Sequence, residues 1–211
     1  IFLKYVFEEN YIKEQIFISF GMVPALLFGF SDLSPPLKVI HPFLTILTSM
    51  FIHGGWMHLI GNMLYLYIFG DNIEEVLGKT KFIIFSLITG SCAALSQAFL
   101  DPSSTIPMVG ASGAIAGVLG AYIILFPKAN IKVFFWFIIF FKVISIRAIY
   151  VLGFWIIIQL ISFSGTETNN GGVAYAAHIG GFICGVILIY FFKGRIIQQN
   201  KLSKGSLPSS K

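Results

Sequence analysis

Long apolar stretches separated by short polar ones organise the chain. Five of them, residues 56–76, 81–100, 110–126, 147–163 and 172–192, are apolar over most of their length. A helix that crosses a bilayer needs roughly 20 apolar residues. The pattern therefore predicts five membrane-spanning helices, the third of them short, and an all-α fold in the form of a polytopic membrane helical bundle.

Four other segments do not fit this pattern. Residues 1–7 are apolar apart from Lys4 and are expected to be the end of a span whose greater part is missing from the chain. Residues 16–30 are too short to span and contain glycine and proline, so a loop in the membrane interface is expected. Residues 131–146 are apolar but contain two lysines, which predicts a second interfacial segment. The polar residues 193–211 are expected to form a disordered cytoplasmic tail.

The composition excludes an ordinary soluble domain. The chain is 56% hydrophobic and only 11% charged, whereas soluble domains carry about a quarter charged residues. Its two cysteines, Cys92 and Cys184, lie in apolar stretches without CxxC spacing, which argues against a zinc site and a disulfide. We predict neither a metal nor a cofactor. The net charge of +5 does not indicate nucleic acid, because the basic residues flank the apolar stretches.

The basic residues instead orient the chain in the bilayer. Most of the 14 Lys and Arg residues follow the first, third or fifth apolar stretch, whereas residues 101–109 and 164–171 contain none. Loops rich in Lys and Arg stay in the cytoplasm. We therefore expect a multi-pass protein of a bacterial inner membrane whose 101–109 and 164–171 loops face the outside, with an organelle membrane as the open alternative.

Four polar side chains are predicted to lie near this outer face. Ser112 opens the third apolar stretch, and His178 lies in the outer half of the fifth. His58 and Asn62 are four residues apart near the outer end of the first, so they share one helix face. Polar groups inside a membrane are costly and usually mark function, so their shared depth predicts a site.

The residue types suggest nucleophilic catalysis. A serine hydroxyl attacks poorly until a base takes its proton, and His178 is the one residue of its stretch suited to do so. No carboxylate is close to it in sequence, so we predict a Ser-His dyad in which packing orients the imidazole. The backbone N–H of Ser112 and the side chains of Asn62 and His58 are candidate donors to an oxyanion.

Small residues could bring the two helices together. Gly113 and Gly117 form one row, and Ala177, Gly181 and Gly185 form another. Rows of this kind allow membrane helices to approach closely. If the two rows face each other, the serine and the histidine come within hydrogen-bonding distance.

Each of the four polar residues also has a purely structural interpretation. Ser112 would bond back to a main-chain carbonyl, and His178 would bond across helices. His58 and Asn62 would cap the start of a span. Only their convergence on one side favours catalysis.

Four motifs resemble the rhomboid family of intramembrane serine proteases. Residues 53–63 resemble its HxxxN helix, 69–74 its FGxxxE segment, 110–113 its GxSG nucleophile motif, and 177–185 its AHxxGxxxG helix. Their order and spacing make the resemblance specific.

The resemblance implies a domain organisation and a six-helix core whose first helix is largely missing here. Residues 44–192 would be the rhomboid protease transmembrane core. Residues 1–43, before this core, would be the end of the truncated first helix and a lateral loop. The tail at 193–211 would follow the core.

The resemblance also implies roles for individual residues. Ser112 would be the nucleophile, His178 the base, and His58 and Asn62 oxyanion partners. The enzyme would be an intramembrane serine endopeptidase with a water-filled cavity open to the outside. Its partners would be the lipid bilayer and single-span membrane protein substrates, cut near their outer membrane boundary. Many family members carry an aromatic residue four positions after the serine, where this chain has Ala116.

Two other functions compete with proteolysis. One is a non-catalytic rhomboid-like protein that binds membrane clients, although such proteins typically lose the serine or the histidine. The other is a transporter or channel, which should show repeated halves or a charged site at the midplane. The sequence contains no such repeat.

Overall fold

The structure is a computed structural model that describes residues 10–137, 140–165 and 173–205. This part of the chain is mostly helical, which confirms the all-α class, and a β-hairpin interrupts it. The helices are α1 (Asn10–Phe20), α2 (Pro24–Leu27), α3 (Pro42–Thr48), α4 (Trp56–Leu77), α5 (Lys79–Leu100), α6 (Ser112–Leu125), α7 (Ala148–Gly165) and α8 (Tyr175–Gly205). The strands of the hairpin are β1 (Asn130–Phe137) and β2 (Phe140–Arg147).

Two of the five expected spans are long and apolar enough to cross a membrane, namely α5 and the Tyr175–Phe192 part of α8. A third candidate is the segment Pro42–Phe51 together with α4, which meet at a bend of 79°. Helices α6 and α7 are apolar but shorter. The 14 residues of α6 cover about 21 Å at 1.5 Å per residue, less than a hydrocarbon layer of about 30 Å.

Two expectations outside the spans need correction, and a third stays a prediction. The interfacial loop expected at 16–30 is largely helical, in α1 and α2. The segment 131–146 is the β-hairpin, in which Ile131 pairs with Ile146 and Phe137 with Phe140, and its interfacial position stays a prediction. The disorder expected from residue 193 onward does not hold as far as Gly205, where α8 ends. The span end expected at 1–7 lies outside the described residues.

Helix α6 is the central element of the bundle. Every residue from Gly113 to Tyr122 is buried, because α4, α5 and α8 pack around this helix. Small side chains permit this close packing. A Cβ atom at Gly117 would lie 2.6 Å from Thr89 Oγ1 of α5, closer than real Cβ atoms approach other atoms. The first residue of this enclosed helix is Ser112.

The segment before α6 is fixed to the N-terminal part of the chain. Met22 and Met108 exchange two backbone hydrogen bonds of 3.0 and 2.8 Å. The Gly110 N–H then donates to the Ser49 carbonyl at 2.9 Å. Gly110 has a φ of 121°, a conformation that side-chain-bearing residues rarely adopt. These contacts fix the turn that leads into Ser112.

Candidate active site

Ser112 and His178 meet although 66 residues separate them in the chain. Ser112 begins α6, and His178 lies in the first turn of α8. The Ser112 Oγ atom is 2.8 Å from His178 Nε2, which is a good hydrogen-bond distance. A serine at this distance from an imidazole nitrogen can pass its proton to that nitrogen as it attacks.

Sequence reasoning missed a third residue, Gln159 of α7. Its Oε1 atom is 2.8 Å from His178 Nδ1, and its side chain is buried. An amide oxygen can only accept, so Nδ1 carries the proton and Nε2 offers its lone pair to the Ser112 hydroxyl. The expectation that packing alone orients the imidazole is therefore wrong. The available signal was a single amide within the apolar run 156–161.

An aromatic ring also packs against His178. The ring centroids of Trp155 and His178 are 5.8 Å apart, with an interplanar angle of 37°. Trp155 precedes Gln159 by four residues and therefore lies on the same face of α7. Ala116, at the position where many rhomboids carry an aromatic residue, is buried within α6. Helix α7 thus provides both the amide and the ring that contact the imidazole.

The small-residue rows of α6 and α8 lie against each other. A Cβ atom at Gly181 would be 3.0 Å from the carbonyl carbon of Gly113, and closer still to its oxygen. A Cβ atom at Gly185 would be 2.6 Å from both Cα and C of Gly117. The Ala177 carbonyl oxygen approaches Gly113 from the same side. The glycines let the backbones touch, and Ser112 and His178 lie at the end of this contact.

His58 of α4 has a defined tautomer. The backbone N–H of Gly54 donates to His58 Nδ1 at 3.3 Å, so a neutral His58 carries its proton on Nε2. This nitrogen lies beside Gly110, where an added Cβ would be 2.6 Å from it. His53, to which sequence reasoning gave no role, is buried and packs edge-on against His58 at a centroid distance of 5.2 Å.

Asn62 lies one turn after His58 and is buried. Its side-chain nitrogen has no hydrogen-bond partner within the described part of the chain. A buried amide donor without a partner is costly, because it has lost its hydrogen bonds to water. Such a donor is well suited to a ligand atom that carries negative charge.

These residues share one cavity of about 1190 Å³. Its walls include His58, Asn62, Ser112, Trp155 and His178, which come from α4, α6, α7 and α8. The cavity therefore brings together the predicted nucleophile, the predicted base and the predicted oxyanion donors. Within the described residues, no three His, Cys, Asp or Glu side chains are close enough to hold a metal ion.

Comparisons with known proteins agree with the motifs. The Rhomboid domain family matches residues 41–195. Rhomboid protein 1, mitochondrial, of Saccharomyces cerevisiae is 32% identical over 165 residues, which cover 75% of this chain and 44% of the relative. Rhomboid protease AarA of Providencia stuartii is 34% identical over 158 residues, covering 66% and 52%. Rhomboid-like protein 11, chloroplastic, of Arabidopsis thaliana is 26% identical over 153 residues, covering 68% and 50%. The chain spans about half the length of these relatives.

Proposed function

The chain belongs to the rhomboid family of integral membrane proteins, and we propose that it is an intramembrane serine endopeptidase. The observation that carries this proposal is the 2.8 Å contact between Ser112 Oγ and the unprotonated Nε2 of His178. The substrates would be single-span membrane proteins cut near their outer membrane boundary. The membrane would be a bacterial inner membrane, with the cavity facing the outside.

In the first chemical step, Ser112 Oγ attacks the carbonyl carbon of the scissile peptide bond. The hydroxyl proton moves to His178 Nε2 as the new C–O bond forms. The imidazole becomes a cation whose Nδ1–H points at the Gln159 carbonyl oxygen. That oxygen carries a partial negative charge, so it stabilises the cation and prevents the ring from turning away.

The carbonyl oxygen of the substrate becomes an oxyanion in this step. Its donors would be Asn62 Nδ2, His58 Nε2 and the backbone N–H of Ser112. The last of these is free for this purpose because the first N–H groups of a helix have no partner within the helix. Removing one donor from an oxyanion hole typically costs about a hundred- to a thousandfold in rate.

The remaining steps regenerate the enzyme. His178 Nε2–H gives its proton to the leaving amine, the C–N bond breaks, and Ser112 is left as an ester. A water molecule then gives a proton to Nε2 and attacks the ester carbonyl. The C–O bond to Ser112 breaks, the acid product leaves, and the proton returns to Oγ.

Labelling with a fluorophosphonate, which reacts with activated serines, tests this proposal. The full-length protein purified in detergent should be labelled, whereas Ser112→Ala and His178→Ala should not. Ser91→Ala is a matched control, because this serine bonds to the Leu87 carbonyl of its own helix at 2.8 Å. A folded wild type without labelling would contradict the proposal and favour a non-catalytic client binder. Cleavage of a single-span reporter in liposomes, with the same variants, tests the substrate class.

A further inference from the structure

The hairpin β1–β2 extends from the end of the bundle opposite Ser112. Two backbone bonds close its base, from the Ala148 N–H to the Ala129 carbonyl at 2.8 Å and from the Ile149 N–H to the Pro127 carbonyl at 3.1 Å. Ile131 is buried there against the core of the bundle. The 14 residues of α6 place this base about 21 Å from the candidate active site.

The described residues in the outer half of the hairpin are mostly apolar and exposed. In the antiparallel register Phe134 faces Val143 and Trp136 faces Phe141, and side chains alternate between the two faces. Both faces therefore carry exposed apolar side chains. Those at least half exposed are Phe134, Phe135, Trp136, Phe140, Phe141 and Val143. A soluble protein rarely presents such a patch to water.

The backbone restricts how deep this hairpin can lie. A two-stranded hairpin has two open edges, whose N–H and C=O groups lack ladder partners. Inside the hydrocarbon layer these groups would have no water, and open edges are excluded there. At the interface, water and headgroups can satisfy them while aromatic rings reach toward the acyl chains. The hairpin is therefore suited to the interface rather than to the hydrocarbon layer or to bulk water.

The basic residues in and next to the hairpin indicate which class of lipid it would contact. Lys128, Lys132, Lys142 and Arg147 are all exposed, and the sequence contains no Asp or Glu between residues 102 and 166. Basic residues beside an apolar surface attract anionic headgroups. We propose that the hairpin β1–β2 is an anchor that binds anionic phospholipids at the membrane face opposite the candidate active site.

The experiment measures which lipid surrounds Trp136. The full-length protein is reconstituted into mixed phosphatidylcholine and phosphatidylglycerol vesicles in which only one of the two lipids carries brominated acyl chains. Bromine quenches nearby tryptophan, and the difference between wild type and Trp136→Phe isolates the signal of Trp136. We expect brominated phosphatidylglycerol to quench this signal at least about twofold more than brominated phosphatidylcholine at equal content. Bromines near the headgroup end of the chains should quench more than bromines near the chain ends.

Charge variants separate lipid recognition from simple apolar contact. Lys132→Gln/Lys142→Gln should remove the preference for phosphatidylglycerol, and Lys79→Gln/Lys81→Gln in the first turn of α5 should keep it. Fluorophosphonate labelling in detergent should be unchanged in both, which checks folding. Equal quenching by both lipids in the wild type would overturn the proposal, because the contact would then be apolar only. Absence of quenching would also overturn it and would indicate a tip in water or covered by protein.

Discussion

Replacing Gly181 with alanine tests whether the backbone contact between α6 and α8 sets the geometry of the candidate active site. The new Cβ would lie 3.0 Å from the Gly113 carbonyl carbon and closer to its oxygen, whereas ordinary contact begins at 3.4 Å. Backbone atoms cannot move aside as a flexible side chain can. The two helices must therefore part, by on the order of 1 Å.

This displacement occurs beside the proposed nucleophile and base. Gly113 follows Ser112 directly, and Gly181 is three residues after His178. A shift of about 1 Å would lengthen the 2.8 Å contact between Oγ and Nε2 beyond hydrogen-bonding range. A misplacement of this size typically costs about a hundredfold in rate. Overpacking should also lower the free energy of unfolding by about 1–3 kcal/mol.

The assay is the rate of fluorophosphonate labelling, measured beside thermal unfolding of the same preparations. Gly153→Ala on α7 is a matched control, because a Cβ there meets no atom within 4 Å. This control should keep the wild-type labelling rate. Gly185→Ala should separate the helices two turns away from His178. This variant should therefore lose stability, and it should lose less activity than Gly181→Ala does. A Gly181→Ala protein that labels at the wild-type rate would refute the reasoning.

Three further predictions concern other residues of the candidate active site. Gln159→Leu leaves the Nδ1–H of His178 without an acceptor and should slow labelling roughly 10- to 100-fold. Gln159→Glu can accept the same bond and should keep much of the wild-type rate. Equal rates for both variants would contradict an orienting role. Asn62→Ala should lower kcat/KM for reporter cleavage about a hundredfold without lowering the unfolding temperature, since its amide nitrogen has no partner in the described residues; a large stability loss instead would indicate a structural role. Gly110→Ala should reduce both stability and labelling more than Gly29→Ala, because both glycines have positive φ but only a Cβ at Gly110 would collide with His58, at 2.6 Å. Similar losses in the two glycine variants, in thermal unfolding and labelling, would mean that backbone strain alone matters.

The helical core of the fold was predictable because apolar length and glycine position are local signals. Helices α4 and α5 end and begin within two residues of the expected boundaries. Gly78, with a φ of 77°, separates them. The contact between Ser112 and His178 could also be predicted, since each is a polar residue among small neighbours in an apolar stretch.

The hairpin was harder to predict from the sequence. A strand with one buried face alternates between apolar and polar residues, and this alternation identifies it. At the tip of the hairpin both faces are apolar, from Phe134 to Trp136 and again at Phe140 and Phe141. The alternation is therefore lost, and the segment resembles an interfacial helix or part of a span.

The role of Gln159 could not be derived from its own helix. Its partner is 19 residues away on α8, and the bond depends on how the two helices are rotated about their axes. An amide in a span can face a neighbouring helix or bond locally, and the local sequence is the same in both cases. Only the packed structure distinguishes the two.

The order of the three residues along the chain has a consequence for biosynthesis. Ser112 leaves the ribosome first, then Gln159, and His178 follows 66 residues after the serine. At typical elongation rates this interval lasts roughly 3–13 s. In the proposed mechanism the serine is an ordinary alcohol during this time, because the predicted base has not been made. Nascent chains truncated before residue 178 should therefore resist fluorophosphonate labelling. The insertion machinery itself consists of membrane proteins. An enzyme that cuts membrane proteins would thus be inactive while this machinery inserts it.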